Sequence, residues 1–73
     1  MAEQIIKIVA EILEMDETEL SLESKQEDIE EWDSLAHIRI IAEVEEQLGK
    51  SIPIDQVVEI TTIEELVQAA ERA

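Results

Sequence analysis

Apolar residues in this chain recur at intervals of three and four in separate stretches, and nowhere do they alternate with polar residues over the length of a strand. That pattern commits the chain to helices. Ile5, Ile8, Val9, Ile12 and Leu13 line one face of a segment from residue 3 to about 15, with Glu3, Lys7, Glu11 and Glu14 covering the other. A second helix is predicted from Ser34 to Leu48, with Ile38, Ile41, Val44 and Leu48 on its apolar stripe and Gly49 at the C-terminal cap. Ser51-Ile52-Pro53 breaks the pattern, leaving Ile54 to Ile60 room for one or two turns. The last helix opens on Thr62, with Glu65 three residues on as in a capping box, and carries Ile63, Leu66, Val67 and Ala70 to about Arg72. Residues 16 to 33 have no sustained period; Leu20, Leu22 and Ile29 are isolated apolar points that would pin a long loop to the core. The expected fold is all-α: a small antiparallel four-helix bundle with a long first loop and a short third helix, residues 1–73 forming one domain. Trp32 is the sole aromatic, so the core must be aliphatic.

Charge narrows the partners. Twenty acidic residues against 5 basic give a net charge of −15 on 73 residues, which excludes nucleic-acid backbones and anionic membranes and points to basic protein surfaces, those of enzymes. Crowded carboxylates are expected to have raised pKa values. A domain this small buries only about 60% of its unfolded surface, so no enclosed catalytic cavity is expected. With no cysteine there is neither a disulfide nor a thiol nucleophile, and thiol chemistry must arrive on a cofactor. Charge interrupts the N-terminus before a signal peptide could develop, and no apolar run exceeds the length of Ile40 to Ala42. A soluble, cytoplasmic monomer with no membrane insertion is expected.

The stretch Trp32-Asp33-Ser34-Leu35-Ala36-His37-Ile38 places a serine where an acidic loop gives way to the second helix. A hydroxyl there is exposed, and the backbone N–H groups behind it form a positive helix end that favours a phosphate ester. An Asp-Ser pair before a helix also serves simply as a cap. The stretch resembles the modification motif of acyl and peptidyl carrier proteins. The order of features beyond it is similar to that family too: the Gly49 stop, Ile52-Pro53, and Ile60-Thr61-Thr62-Ile63 opening the last helix.

The resemblance implies that Ser34 is the attachment site of a covalent 4'-phosphopantetheine arm donated by coenzyme A. Asp33 would be the neighbouring acid, near enough to help hold the divalent cation used by the modifying enzyme, or else only the helix cap. Leu35 would be an adjoining apolar contact. It also implies that the chain catalyses nothing; the acid clusters Glu27-Asp28 and Glu30-Glu31 lack the alternating oxygen ligands and central glycine of a calcium loop, so no metal site is expected. Its partners would be a phosphopantetheinyl transferase, an acyl-loading ligase or acyltransferase, and downstream synthase enzymes with basic docking surfaces. The second helix would be the recognition element, with Trp32, Ala36, His37, Arg39, Glu43 and Glu46 as its candidate contacts.

This chain departs from the common fatty-acid pattern, which often places acids two and five residues after the serine. Here those positions are Ala36 and Arg39, and the acids come later, at Glu43, Glu45 and Glu46. That favours a specialised fatty-acid, polyketide or peptide pathway. Arg39 and Glu43, four apart, would share an outward face and form a pair. Trp32 is either an anchor for the loop or a contact for arm or partner, and His37 either an exposed helix residue or a partner contact. Ser34 and His37 lie three apart, but no orienting acid or oxyanion hole accompanies them, so a hydrolase is not expected. The competing reading is an acidic protein-binding module or nucleic-acid mimic that acts by charge without modification.

Overall fold

In the computed structural model, which describes residues 1–73, the periodic segments are helices: α1 (Ala2–Leu13), α2 (Ser34–Leu48), the single turn α3 (Ile54–Val57) and α4 (Ile63–Arg72). No strand forms, and α1 packs against both α2 and α4. Ile5, Val9, Ile40, Val44, Ile63, Leu66 and Trp32 are the most completely buried side chains. Burying one Leu or Ile contributes about 1.5–3 kcal/mol, and packing of this kind, more than helix propensity, holds segments this short in place. No helix is long and apolar enough to cross a membrane.

Both long N-terminal helices end in the same way. At Gly49 the backbone turns left-handed (φ 64°), and Lys50 N–H reaches back to the Glu45 carbonyl at 3.1 Å. At Glu14 it does likewise (φ 57°), with Met15 N–H on the Ala10 carbonyl at 2.9 Å. These are Schellman closures, for which glycine is the favoured residue. Glu14 holds the position against a steric penalty.

The long first loop is built from two short 3₁₀ turns, Glu17–Glu19 and Gln26–Asp28. Asp16 caps the first, accepting the Thr18 N–H at 3.0 Å and its hydroxyl at 2.8 Å. Backbone bonds then fasten the loop to the start of α4: Gln26 N–H to the Thr61 carbonyl (2.8 Å), Ile63 N–H to Ser24 (3.1 Å) and Glu64 N–H to Leu22 (3.0 Å). Leu20 is buried and Ile29 packs partly against the core, as expected. Leu22 is not the apolar pin expected of it, because its side chain stays exposed and only its carbonyl is used.

The capping box of α4 forms in full. Thr62 Oγ1 accepts the Glu65 N–H at 3.1 Å, while Glu65 Oε1 accepts Thr61 N–H (2.8 Å), Thr61 hydroxyl (2.9 Å) and Thr62 N–H (3.2 Å). The Thr61 backbone donor, then its hydroxyl, hold the Glu65 carboxyl below the usual carboxylate range; the Thr18 N–H and hydroxyl do the same for Asp16. At these two groups the displacement is opposite to that expected from crowding.

The buried face of α2 is displaced from its expected stripe. Ala36, His37, Ile40, Ile41 and Val44 are buried, Leu48 is half-buried, and Ile38 is 51% exposed. At about 100° per residue, His37, Ile41, Val44 and Leu48 fall within a narrow arc, and Ile38 stands roughly 100° away from its centre. Hydrophobicity alone passes over His37 and centres the stripe one residue too far along.

Candidate functional site

The backbone reaches α2 through an extended Asp33 (φ −88°, ψ −175°). Asp33 Oδ1 accepts the Ala36 N–H at 2.8 Å and its carbonyl accepts the His37 N–H at 2.9 Å. Capping at Asp33 is therefore realised, and Oδ2 makes no hydrogen bond within the protein. The N–H groups of Ser34 and Leu35 have no acceptor in the chain, and Ser34 Oγ is exposed and likewise unpartnered. At the start of α4 the equivalent donors, Ile63 and Glu64, are both taken by loop carbonyls. The start of α2 thus offers a free primary hydroxyl beside two free N–H groups at the positive end of a fifteen-residue helix. That arrangement suits a phosphate ester on Ser34.

Ser34 opens into a groove of about 270 Å³, with His37 and Ile38 on the α2 wall, Val57, Val58 and Ile60 opposite, and Gln26 at one end. Ile38 and Val58 in its walls are each more than half exposed, as are Leu35 and Ile54 elsewhere on the surface.

Trp32 and His37 are both withdrawn from that surface. Trp32 is 2% exposed and donates its indole N–H to His37 Nδ1 at 3.0 Å, while His37 Nε2 lies 2.9 Å from the Val57 carbonyl. The rings stack with centroids 6.0 Å apart. Trp32 is thus buried where it can anchor the loop, and the reading of His37 as an exposed helix residue does not hold. With both nitrogens engaged, His37 is not a base for Ser34. Ala36 is also buried, reaching the surface only in the wall of a groove between α1 and α2.

The remaining candidates stay outside. Leu35 is 70% exposed, Arg39 and Glu46 are exposed, and Glu43 is half-buried. Arg39 stands where two grooves along the α1–α2 seam meet, one running to Leu35 and Asp33, the other to Glu11, Ala42 and Glu43. Glu43 accepts Gln47 Nε2 at 3.0 Å, so the neighbour four residues away that it bonds is Gln47.

Comparison with known proteins agrees with this geometry. Residues 3–70 match the family described as "Phosphopantetheine attachment site". The chain is 38% identical over 65 residues, 89% of its length, to an acyl carrier protein of Rubrobacter xylanophilus, of which the match spans 80%.

Proposed function

The chain belongs to the phosphopantetheine-attachment-site family of acyl carrier proteins, which carry groups and do not catalyse their reactions, and from that premise we propose that Ser34 is the residue modified. The observation that carries the assignment is the exposed, unpartnered Ser34 hydroxyl beside the free N–H groups of Ser34 and Leu35. When attached, 4'-phosphopantetheine from coenzyme A supplies a terminal thiol that holds acyl groups as thioesters, chemistry that a chain without cysteine lacks. In the attachment reaction Ser34 Oγ gives up its proton and bonds to phosphorus as the pyrophosphate bond of coenzyme A breaks and adenosine 3',5'-bisphosphate leaves. The two N–H groups, aided by the α2 dipole, stabilise the resulting ester's charge. Asp33 fixes the backbone that aims these donors, with Oδ2 left available to a cation brought by the modifying enzyme. Ser34, on an exposed helix end, presents what it holds at high effective concentration to any enzyme docked beside it.

Residues 1–73 act in this reading as one monomeric carrier domain serving a phosphopantetheinyl transferase, an acyl-loading ligase or acyltransferase, and downstream synthases. Leu35 and the exposed residues Arg39 and Glu46, with Glu43 behind them, form the recognition face, the acids meeting basic docking surfaces. A cation at residue 39 supports a specialised fatty-acid, polyketide or peptide pathway over general fatty-acid synthesis. Incubated with coenzyme A, magnesium and a broad-specificity transferase, the chain should gain the mass of one phosphopantetheine, and Ser34→Ala should gain none while keeping its helical spectrum. A wild-type chain left unmodified by several such transferases refutes the assignment.

A further inference from the structure

The hydrogen bonds of α3 are almost all its own. The N–H groups of Gln56, Val57, Val58, Glu59 and Ile60 bond only to carbonyls between Pro53 and Val57. From Pro53 to Ile60 a single hydrogen bond leaves the segment, the one between His37 Nε2 and the Val57 carbonyl. Val57 and Ile60 are its only buried side chains. A one-turn helix has little stability of its own, so this bond and those two side chains decide where α3 sits. Where α3 sits decides the groove, since Val57, Val58 and Ile60 form the wall that faces Ser34.

The chemistry of the bond fixes the state of the ring. An indole N–H only donates, so His37 Nδ1 must accept, and the ring's single proton is on Nε2, donated to Val57. Every buried side-chain polar atom is then satisfied.

We propose that His37 is a positioning residue: through the bond between Nε2 and the Val57 carbonyl it latches α3 to the start of α2, fixing the groove into which Ser34 opens. The functional consequence rests on the reading of Ser34 as the attachment site; the latch itself is a property of the unmodified chain.

Amide hydrogen exchange on that unmodified chain tests it. His37→Leu, which fills the space without either hydrogen bond, should exchange the Val58, Glu59 and Ile60 amides about tenfold faster than wild type, while α1 and α4 keep their rates. His37→Gln, whose amide has both an acceptor and a donor, should recover much of that protection. The indole N–H resonance of Trp32 should also shift in His37→Leu, which leaves that donor without its acceptor. Equal protection of the segment in His37→Leu and wild type overturns the proposal. So does uniform loosening of all helices, which would make His37 a packing residue only. Modification of the same variants by transferase keeps the two readings apart: a wild-type chain that takes no phosphopantetheine refutes Ser34 and leaves the exchange result standing, and unchanged exchange refutes the latch even where Ser34 is modified.

Discussion

Asp33 has two possible duties at the start of α2, and substitution separates them. Asp33→Ala removes the acceptor of the Ala36 N–H, a partly buried bond of 2.8 Å, and also removes a negative charge from the positive end of the helix. Loss of such a cap costs about 1 kcal/mol, and loss of the charge–dipole attraction about 0.3–1 kcal/mol more. For a domain of this size, 1.5 kcal/mol corresponds to a fall in melting temperature of roughly 6–12 °C. Asp33→Asn keeps an acceptor in place and loses only the charge, so the fall should be about 2–4 °C. Removing one charge from a chain at −15 also relieves repulsion, which works in the opposite direction. Melts repeated in about 1 M salt, where screening suppresses both charge effects, should therefore leave a difference of about 1 kcal/mol between Ala and Asn. Equal melting temperatures for the two variants in high salt would refute the capping account. Transferase rates at equal folded fraction then resolve the second duty: if the charge helps hold the cation, Asn and Ala are both slow, and if Asp33 only caps, Asn is modified like wild type.

Glu65, held below the usual carboxylate range by Thr61 and Thr62, contributes stability that is complete above its ordinary pKa and lost as pH falls through the lower folded value. Thermal melts of Glu65→Gln should accordingly show a flatter acid limb than wild type, and identical limbs would sink that assignment. Glu14→Asn should raise the melting temperature by a few degrees by relieving the left-handed strain at φ 57°, whereas a lower value would show that the glutamate is not strained there. Arg39→Glu should leave the fold untouched, slow loading by the natural acyl-loading enzyme and improve function with generic fatty-acid enzymes; equal loading rates in both sets, at low and moderate salt, would make Arg39 a bystander.

The sequence made some of these features legible and hid others for identifiable reasons. Asp33 and Gly49 mark α2 at both ends because their side chains, or the lack of one, carry the capping chemistry themselves. The end of α1 is hidden because Glu14 takes a conformation that nothing about glutamate announces. The loop's attachment to α4 runs through the backbone carbonyls of Leu22 and Ser24, which any residue possesses, so no residue type signals it. The exposed helix start at Ser34 was readable from the capping aspartate directly before it. His37 was not, because a polar residue is assigned to the surface unless its partners are known, and those partners, an indole and a carbonyl twenty residues away, are brought together only by folding.

The central claim is that Ser34 carries the arm, and trypsin provides a direct measurement. Cleavage after Lys25 and Arg39 releases residues 26–39, a peptide whose only hydroxyl-bearing side chain is Ser34. After treatment with coenzyme A, magnesium and transferase, mass spectrometry of the digest should find one phosphopantetheine on this peptide and none on the peptides bearing Thr18, Ser21, Ser24, Ser51, Thr61 and Thr62. An added mass on any of those instead, or an unmodified 26–39 peptide from protein whose intact mass has risen, would contradict the account.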